Sequence, residues 1–351
     1  MAHWWKKWTV WEFLPWWLAN VPVYGMYGWF ALRARHVFFF SNVNPTIPLG
    51  GAVGESKHQI LQLIPAHIKP KTVLAPAGVP VGRIAEMLEQ AGMRFPVIAK
   101  PDVGERGFLV QKFAHAGDLC RYLDHFRVAF LIQEFLTLPI EMTVLFHRYP
   151  DSSRFEITSV CIKEFLSVTG DGISTVRRLM ARTSRASFQL DRFERDFPEL
   201  LERVPGLGER VLLEPIGNHA RGTKFLNGNH LIDSELKSVF RQVCGQIDGV
   251  MYGRFDLKCA SVAALRRGEF QVMELNGVFG EPAHVYDPAY GMWRAYRDFY
   301  RHWQILFTLH RAQLRAGIRP TPIRAGWQII RQYLRYKKQM EARQLAKKAY
   351  L

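Results

Sequence analysis

Two neighbouring stretches combine an arginine, two carboxylates and an amide in strand-like alternation. Tyr252-Gly253-Arg254-Phe255-Asp256-Leu257-Lys258 is followed by Glu269-Phe270-Gln271-Val272-Met273-Glu274-Leu275-Asn276-Gly277. Side chains two apart on a strand share a face. Arg254 therefore sides with Asp256, and Glu274 with Asn276. If the two strands pair, one cation, two carboxylates and an amide oxygen converge. Hard oxygens of this kind suit Mg²⁺, which takes one or two carboxylates and completes its shell with phosphate oxygens. Arg254 then stands where it could stabilise charge developing on a transferring phosphoryl group or a tetrahedral centre.

Other stretches supply groups for an anionic partner. Phe95-Pro96-Val97-Ile98-Ala99-Lys100-Pro101 is an apolar strand that delivers Lys100 beside the loop Asp102-Val103-Gly104-Glu105-Arg106-Gly107. Loop N–H groups can cradle phosphates, and a lysine adds a point charge. Leu131-Ile132-Gln133-Glu134-Phe135-Leu136 is an apolar strand with a polar end, suited to a hinge that reads a base through backbone groups; Glu141 follows. Lys163 offers a second phosphate contact. Gly170-Asp171-Gly172-Ile173-Ser174-Thr175 is a turn that feeds a helix, where Ser174 or Thr175 could contact an anion or simply cap the helix. Asn218-His219-Ala220-Arg221 belongs to a polar loop that could close over substrate.

These groups need a mixed scaffold to hold them. Strands are expected over Thr72–Leu74, Phe95–Lys100, Phe108–Phe113, Ala129–Phe135, Glu141–Phe146, Arg154–Glu164, Arg210–Leu213, Tyr252–Lys258 and Glu269–Leu275. Helices are expected over Arg83–Gln90, Ala116–His125 and Leu236–Ile247. Strands and helices in this mixture, with adjacent strand pairs, argue an α+β fold. No serine-nucleophile elbow, P-loop or HExxH zinc motif competes. Four separated cysteines give no disulfide framework or zinc-cysteine site and suit a reducing compartment.

With these motifs in place, residues 68–290 resemble the ATP-grasp superfamily of carboxylate–amine ligases, and most resemble its D-alanine–D-alanine ligase-like and glutamate-ligase-like branches. The resemblance implies two α+β lobes sandwiching ATP. It implies magnesium ligands at Asp256, Glu274 and Asn276, and an acyl-phosphate-stabilising arginine at Arg254. Lys100, Gly104, Arg106 and Gly107 then fall on the strand lysine and phosphate-covering loop. Gln133, Glu134, Phe135, Leu136, Glu141 and Lys163 fall on nucleotide contacts. Gly170, Asp171, Gly172, Ser174, Asn218, His219, Arg221 and His284 are substrate-side candidates, with Glu281 and Asp287 near the last. The implied cofactors are ATP and one or two Mg²⁺. The implied partners are a small-molecule or lipid-linked carboxylate and amine; it is the aromatic and basic ends of the chain that suggest a substrate that is lipid-linked or made at the membrane. A kinase on the same fold, transferring phosphate to a hydroxyl, is the alternative enzyme. A non-catalytic basic protein binding membrane or nucleic acid is the alternative outside catalysis.

The chain departs from that family's pattern by the brevity of what precedes the first lobe. The expected division is an aromatic interface anchor over 1–40, a reduced segment over 41–70, a small lobe over 71–140, a large lobe over 141–290 and a basic helical tail over 291–351. The segment Asn44–Lys57 is expected to form part of the acceptor site or a structural wrap, and Lys71 to stand near the nucleotide.

Charge separates the ends from the middle. The chain of 351 residues carries a net +16. Residues 1–40 hold four basic residues against one acid, and residues 291–351 fourteen against two. The 250 residues between them hold 29 against 28. A near-neutral middle speaks against nucleic acid as the partner. Seven of the ten tryptophans lie in the first 29 residues, and residues 13–32 carry no charge. Trp and Tyr favour the lipid headgroup boundary. Basic residues flank that run on both sides, and Pro15, Pro22, Gly25 and Gly28 interrupt it, so an interfacial anchor is expected rather than a span. Two helices are expected over 293–313 and 325–346. In the second, Ile329, Tyr333, Tyr336 and Met340 share an apolar face, suited to an anionic membrane surface. The expected location is the cytoplasmic face of the inner membrane. The oligomeric state stays open.

Overall fold

A computed structural model describes residues 16–105, 107–150 and 154–349. Trp4, Trp5, Trp8, Trp11 and Arg106 lie outside the described residues.

The α+β class holds, and the strands divide between two lobes. The first lobe carries β1 (Thr72–Ala75), β2 (Val97–Pro101), β3 (Gln111–Phe113) and β4 (Phe130–Glu134), all antiparallel in the order β1-β4-β2-β3. Two amphipathic helices, Val81–Gln90 and Ala116–Phe126, cover it and bury Ile84, Leu88, Leu119, Leu123 and Phe126 against Val97, Phe130 and Ile132. The expected strand from Phe108 shrinks to its last three residues, because residues 107–109 form a turn with Leu109 at φ 55°.

The second lobe is built on β5 (Ile140–Arg148), β6 (Phe155–Glu164), β9 (Lys224–Asn227), β10 (Tyr252–Cys259) and β11 (Phe270–Asn276). Their order is β11-β10-β5-β6-β9, antiparallel throughout. One face carries the apolar core of Met142, Val144, Phe146, Val160, Phe255 and Leu257, closed by the helix Ser234–Gly245 through Leu236 and Phe240. The opposite face carries the polar residues. Edge strand β9 follows the expected polar loop, where no element is expected; at four residues, it is too short to show a period. A smaller hairpin, β7 (Ser167–Thr169) with β8 (Arg210–Leu212), packs with short helices around Val176, Met180 and Phe193.

Residues 41–70 form a wrap. Asn44 Nδ2 donates to the Tyr252 carbonyl (2.8 Å), and its Oδ1 accepts from the Met251 and Tyr252 N–H groups (2.9 and 3.1 Å). This side chain acts as a short extra strand at the start of β10. Gly51, at φ 80°, lies so close to Gly277 that a Cβ there would fall 2.8 Å from its Cα. The turn is thereby fastened to the end of β11.

The first and last long helices among the described residues pack on the fold. Helix α1 (Val21–Ala34) runs beside α2 (Met292–Arg315), with Phe30 packed on Tyr300 and Phe307 (ring centroids 5.5 Å in both cases) and Tyr27 on Trp303 (5.3 Å). The last helix, α3 (Ile323–Ala349), has the apolar face expected of it, and the protein itself covers that face. Met340 and Tyr336 enter the first lobe's core, and Ile329 packs on the α1–α2 cluster. Tyr333 Oη donates to Glu105 Oε1 (2.7 Å). Burial of this face on the fold leaves only the opposite, basic side of α3 to solvent. No helix among the described residues is long and apolar enough to cross a membrane.

Candidate active site

Sheet register assembles the site. Arg254 lies opposite Asn276 and Asp256 opposite Glu274. On the other side of β10, Lys258 lies opposite Glu141, which in turn lies opposite Lys163. The alternation that puts Arg254 and Asp256 on one face therefore continues to Lys258, a site residue the sequence reading left out.

The side chains form one buried ionic network. Lys163 Nζ donates to Glu141 Oε1 and Asp256 Oδ2, both at 2.9 Å. Arg254 Nε and Asn276 Nδ2 both donate to Asp256 Oδ1, at 3.0 and 3.1 Å. Lys258 Nζ stands 3.7 Å from Glu141 Oε2. Burial alone would raise the Asp256 carboxyl, but Arg254 and Lys163 outweigh it and hold the group down at about 2. The same carboxylates raise Lys163 and Arg254 above their ordinary values against the pull of burial.

A bulge links this network to the first lobe. The β10–β11 register shifts after Asp256, from Asp256 opposite Glu274 to Leu257 opposite Val272, and Met273 is passed over. The Met273 carbonyl accepts from Lys100 Nζ at 2.9 Å, and Gln133 Oε1 accepts from the same nitrogen at 3.2 Å. Burial lowers Lys100 to about 8; Glu274 opposes that shift and Lys57 adds to it. Lys100 thus stands at the junction of the two sheets, beside Glu274.

Lys57 completes this side. Its Nζ donates to Glu274 Oε1 at 2.7 Å. Burial works to lower it, but Glu274 prevails and raises it. Nearby Glu55 has a buried Oε2 without a hydrogen-bond partner, and burial raises its carboxyl. In sequence Lys57 sits where a turn-rich stretch passes into a helix expected over Glu55–Leu63, with nothing to mark it as a site residue. Two hundred and seventeen residues separate it from Glu274, so no local spacing could join them. Its helix, Lys57–Gln62, is pinned by Asp102, whose Oδ1 accepts from Ser56 Oγ (3.0 Å) and the His58 N–H (2.8 Å).

Two of the expected loops meet. Arg221 Nη2 donates to the carbonyls of Gly107 and Val110, at 3.1 and 3.2 Å, and Asn218 packs against Gly107. The loop of the second lobe therefore touches the glycine loop, Gly104 included, of the first. Gly217 is a further residue missed in sequence. A Cβ there would fall 2.1 Å from Glu141 Oε1 and 2.9 Å from Lys163 Cδ, so the backbone must pass bare over that ion pair. The Lys258 ammonium donates to the Leu136 carbonyl (3.2 Å) and lies over the Phe135 ring (5.6 Å) at the strand end that carries exposed Glu134.

Other expected residues are engaged elsewhere. Asp171 accepts from the Ser174 N–H (2.6 Å) and hydroxyl (2.7 Å), so both close their own turn, bracketed by Gly170 and Gly172; Thr175 is the helix cap. His284 is fully buried, with Nδ1 bonded to Ser159 Oγ (2.8 Å) and Nε2 to Asp298 Oδ2 (3.1 Å). With both ring nitrogens engaged, it braces the second lobe against α2. His219 packs on Phe225 and Tyr286, and burial lowers it to about 4. The Glu281 carboxylate accepts from Tyr286 Oη (2.5 Å), while its carbonyl accepts from Arg254 (3.2 Å). Asp287 accepts from the Asn227 and Ala289 N–H groups, both at 2.7 Å. Lys71 donates to the Gly92 carbonyl on the outside of the first lobe.

No family model and no curated protein matches the chain. Among solved structures it is similar to the VanG D-Ala:D-Ser ligase from Enterococcus faecalis, at 13% identity over 73% of this chain and 61% of that one, with a TM-score of 0.42. It is similar to D-alanine–D-alanine ligase from Bacillus anthracis, at 11% identity over 74% of this chain and 67% of that one (TM-score 0.40). It is also similar to D-cycloserine synthetase DcsG, at 13% identity over 71% and 70% (TM-score 0.38). The chain spans only 61% of the length of the first of these. Likenesses this distant assign neither substrate nor reaction, which rest on the residues themselves.

Proposed function

We propose that the chain is an ATP-dependent ligase of the ATP-grasp kind, joining a carboxylate to an amine through an acyl phosphate. The observation that supports this best is the buried network itself. Cations and carboxylates alternate across adjacent strands, and Lys100 enters from the facing lobe. Burying so many charges is costly for a merely structural purpose. It is useful where phosphates and developing negative charge must be held away from water.

The donor set fits magnesium. Asp256 and Glu274 are cross-strand neighbours, and the Asn276 amide, whose Nδ2 donates to Asp256 here, lies next to them and could turn its oxygen to a cation. Among the described residues no group of three His, Cys, Asp or Glu side chains could hold a metal. Mg²⁺ needs no such group when phosphate oxygens and water fill its shell. When bound it would neutralise phosphate charge.

The remaining roles fall to the chain. Lys100 and Lys163 hold nucleotide phosphates, and the loop carrying Gly104 and Gly107 covers them. Glu141 orients Lys163 and contacts the nucleotide. A substrate carboxylate oxygen attacks the γ-phosphorus, the bond to the β,γ-bridging oxygen breaks, and ADP departs. The acyl carbon is then attacked by an amine. Arg254, fixed by Asp256 and the Glu281 carbonyl, stabilises the tetrahedral oxyanion. Inorganic phosphate leaves as the C–N bond is completed, and the amine's proton passes to phosphate or solvent.

The test is trapping. The purified chain is incubated with Mg·ATP, a small-molecule extract and hydroxylamine. ADP release coupled to hydroxamate formation is expected, and both should vanish in Arg254→Ala. ADP release with a stable phosphorylated hydroxyl product would replace the ligase reading by a kinase. Absence of nucleotide binding would overturn both.

A further inference from the structure

We propose that α1 and the groove beside it dock the protein onto an anionic phospholipid bilayer. The inference rests on a surface remote from the ionic network and stands independently of the ligase reading. A surface helix ordinarily turns its apolar side inward and its charged side to water. Helix α1 does only the first. Val23 and Phe30 are buried against α2, yet the outward side carries Val21, Tyr24, Trp29 and Leu32, with Leu18 just before it. Trp29 is 52% exposed and Leu32 73%. No charged residue occurs between Trp16 and Leu32. A continuous exposed apolar face of this kind marks a contact surface.

Charge selects the occupant. At the C-terminal end of α1, a groove of about 390 Å³ opens between α1 and α2, and Phe30, Arg33, Tyr300, Phe307, Arg311 and Arg315 line it. The Arg33 guanidinium lies over the rings of Trp29 (6.0 Å) and Phe307 (5.1 Å). Among the described residues no carboxylate lines the groove. Guanidinium groups pair with phosphate in a two-pronged geometry that a lysine cannot match. An aromatic apolar face rimmed by arginines is complementary to acyl chains beneath a layer of lipid phosphates. A neutral protein surface would meet the face and leave the arginines unmatched. The chain before α1 continues the theme in its composition, with Trp4, Trp5, Trp8, Trp11, Lys6 and Lys7. At 14 residues α1 is about 21 Å long, short of the roughly 30 Å hydrocarbon core, so it lies along the interface.

The full chain is sedimented with vesicles of phosphatidylglycerol and phosphatidylcholine, or of phosphatidylcholine alone. Wild type is expected to pellet with the anionic vesicles only. Arg33→Glu/Arg311→Glu/Arg315→Glu should bind on the order of 100-fold more weakly, at roughly a fivefold loss per charge. Tyr24→Glu/Leu32→Glu should lose binding to a similar degree. All of these side chains are outside the ionic network, so the thermal unfolding midpoint should match wild type and certify the fold. If either combination melts early, Leu32→Glu or Arg311→Glu alone takes its place. Equal pelleting on both vesicle types, or wild-type pelleting by folded variants of both kinds, overturns the proposal. So does a dimer in solution that Leu32→Glu dissociates, because the face would then belong to a second copy.

Discussion

Lys163 and Arg254 are cations buried in a sheet face, each within 3.0 Å of a carboxylate oxygen. Arg33, Arg311 and Arg315 are cations at the mouth of a groove that no carboxylate lines among the described residues. The first group is fixed, dry and close to electrically balanced. The second is wet and unmatched. Burial accounts for the difference. A buried charge is tolerated only beside its opposite, so it acts over ångströms on whatever displaces that partner. An exposed charge acts over a Debye length of about 10 Å and yields to salt. One protein therefore carries a site suited to chemistry and a surface suited to attraction, both made from basic residues.

The contrast can be broken most severely at the carboxylates. Asp256→Asn with Glu274→Gln should lower ATP-dependent product formation by about 10³-fold or more, measured as ADP release, while vesicle pelleting stays at the wild-type level. Stability should separate the regions next. Asp256→Asn removes the carboxylate paired with Arg254 and leaves Lys163 with Glu141 alone, and should cost about 3–5 kcal/mol in urea unfolding. Arg311→Glu should stay within about 0.5 kcal/mol. Salt should then move only one of the two functions: raising NaCl from 50 to 300 mM should weaken vesicle binding on the order of tenfold and nucleotide affinity far less.

The smallest effect concerns pH. Lys100 has a folded pKa of about 8, below its ordinary value of 10.5. It is charged at pH 7 and loses its proton as pH rises through 8. Phosphate binding favours the charged form, so nucleotide affinity should fall about fourfold between pH 7 and 8.5 by proton linkage. Lys100→Arg should flatten that profile in calorimetric titration. For stability the sign is opposite: the unfolded chain holds this proton more tightly, so the group favours the fold increasingly from pH 8 to 10.5. Asp256 works at the acid end. Its depressed pKa of about 2 contributes stability above its ordinary 3.8, and that contribution is lost as pH falls toward 2.

The strands of the ionic network were legible because period-two alternation is a local property. Arg254, Asp256, Glu274 and Asn276 each lie two residues from a partner, and apolar neighbours mark the opposite face. Lys258 obeys the same rule and was there to be found. Lys57 and Gly217 were not. Their importance comes from meeting Glu274 and Glu141 across the fold, and nothing in their own neighbourhoods announces it. The last helix shows a different limit. Ile329, Tyr333, Tyr336 and Met340 advertise a face that something must cover, but periodicity is silent on whether lipid or protein covers it. Here the answer is protein, because Met340 fills a gap in the first lobe's core. Residues 21–32 show the converse: an uncharged run with one side used by α2 and the other left outward.

That placement of Met340 sets an order on the chain's own assembly. A polypeptide leaves the ribosome from its N-terminus, and domains generally fold as they emerge. The first lobe's strands end at Glu134, yet the side chain that completes its core arrives about two hundred residues later. Until then the lobe must wait with an open apolar cleft beside the Ala116–Phe126 helix. The glycine loop waits too, because the Tyr333 hydroxyl that holds Glu105 travels on the same late helix. A nascent chain halted before residue 320 would carry Arg254, Asp256, Glu274 and Asn276 beside an unfinished first lobe, so the nucleotide binding proposed above should appear only once residue 340 has emerged.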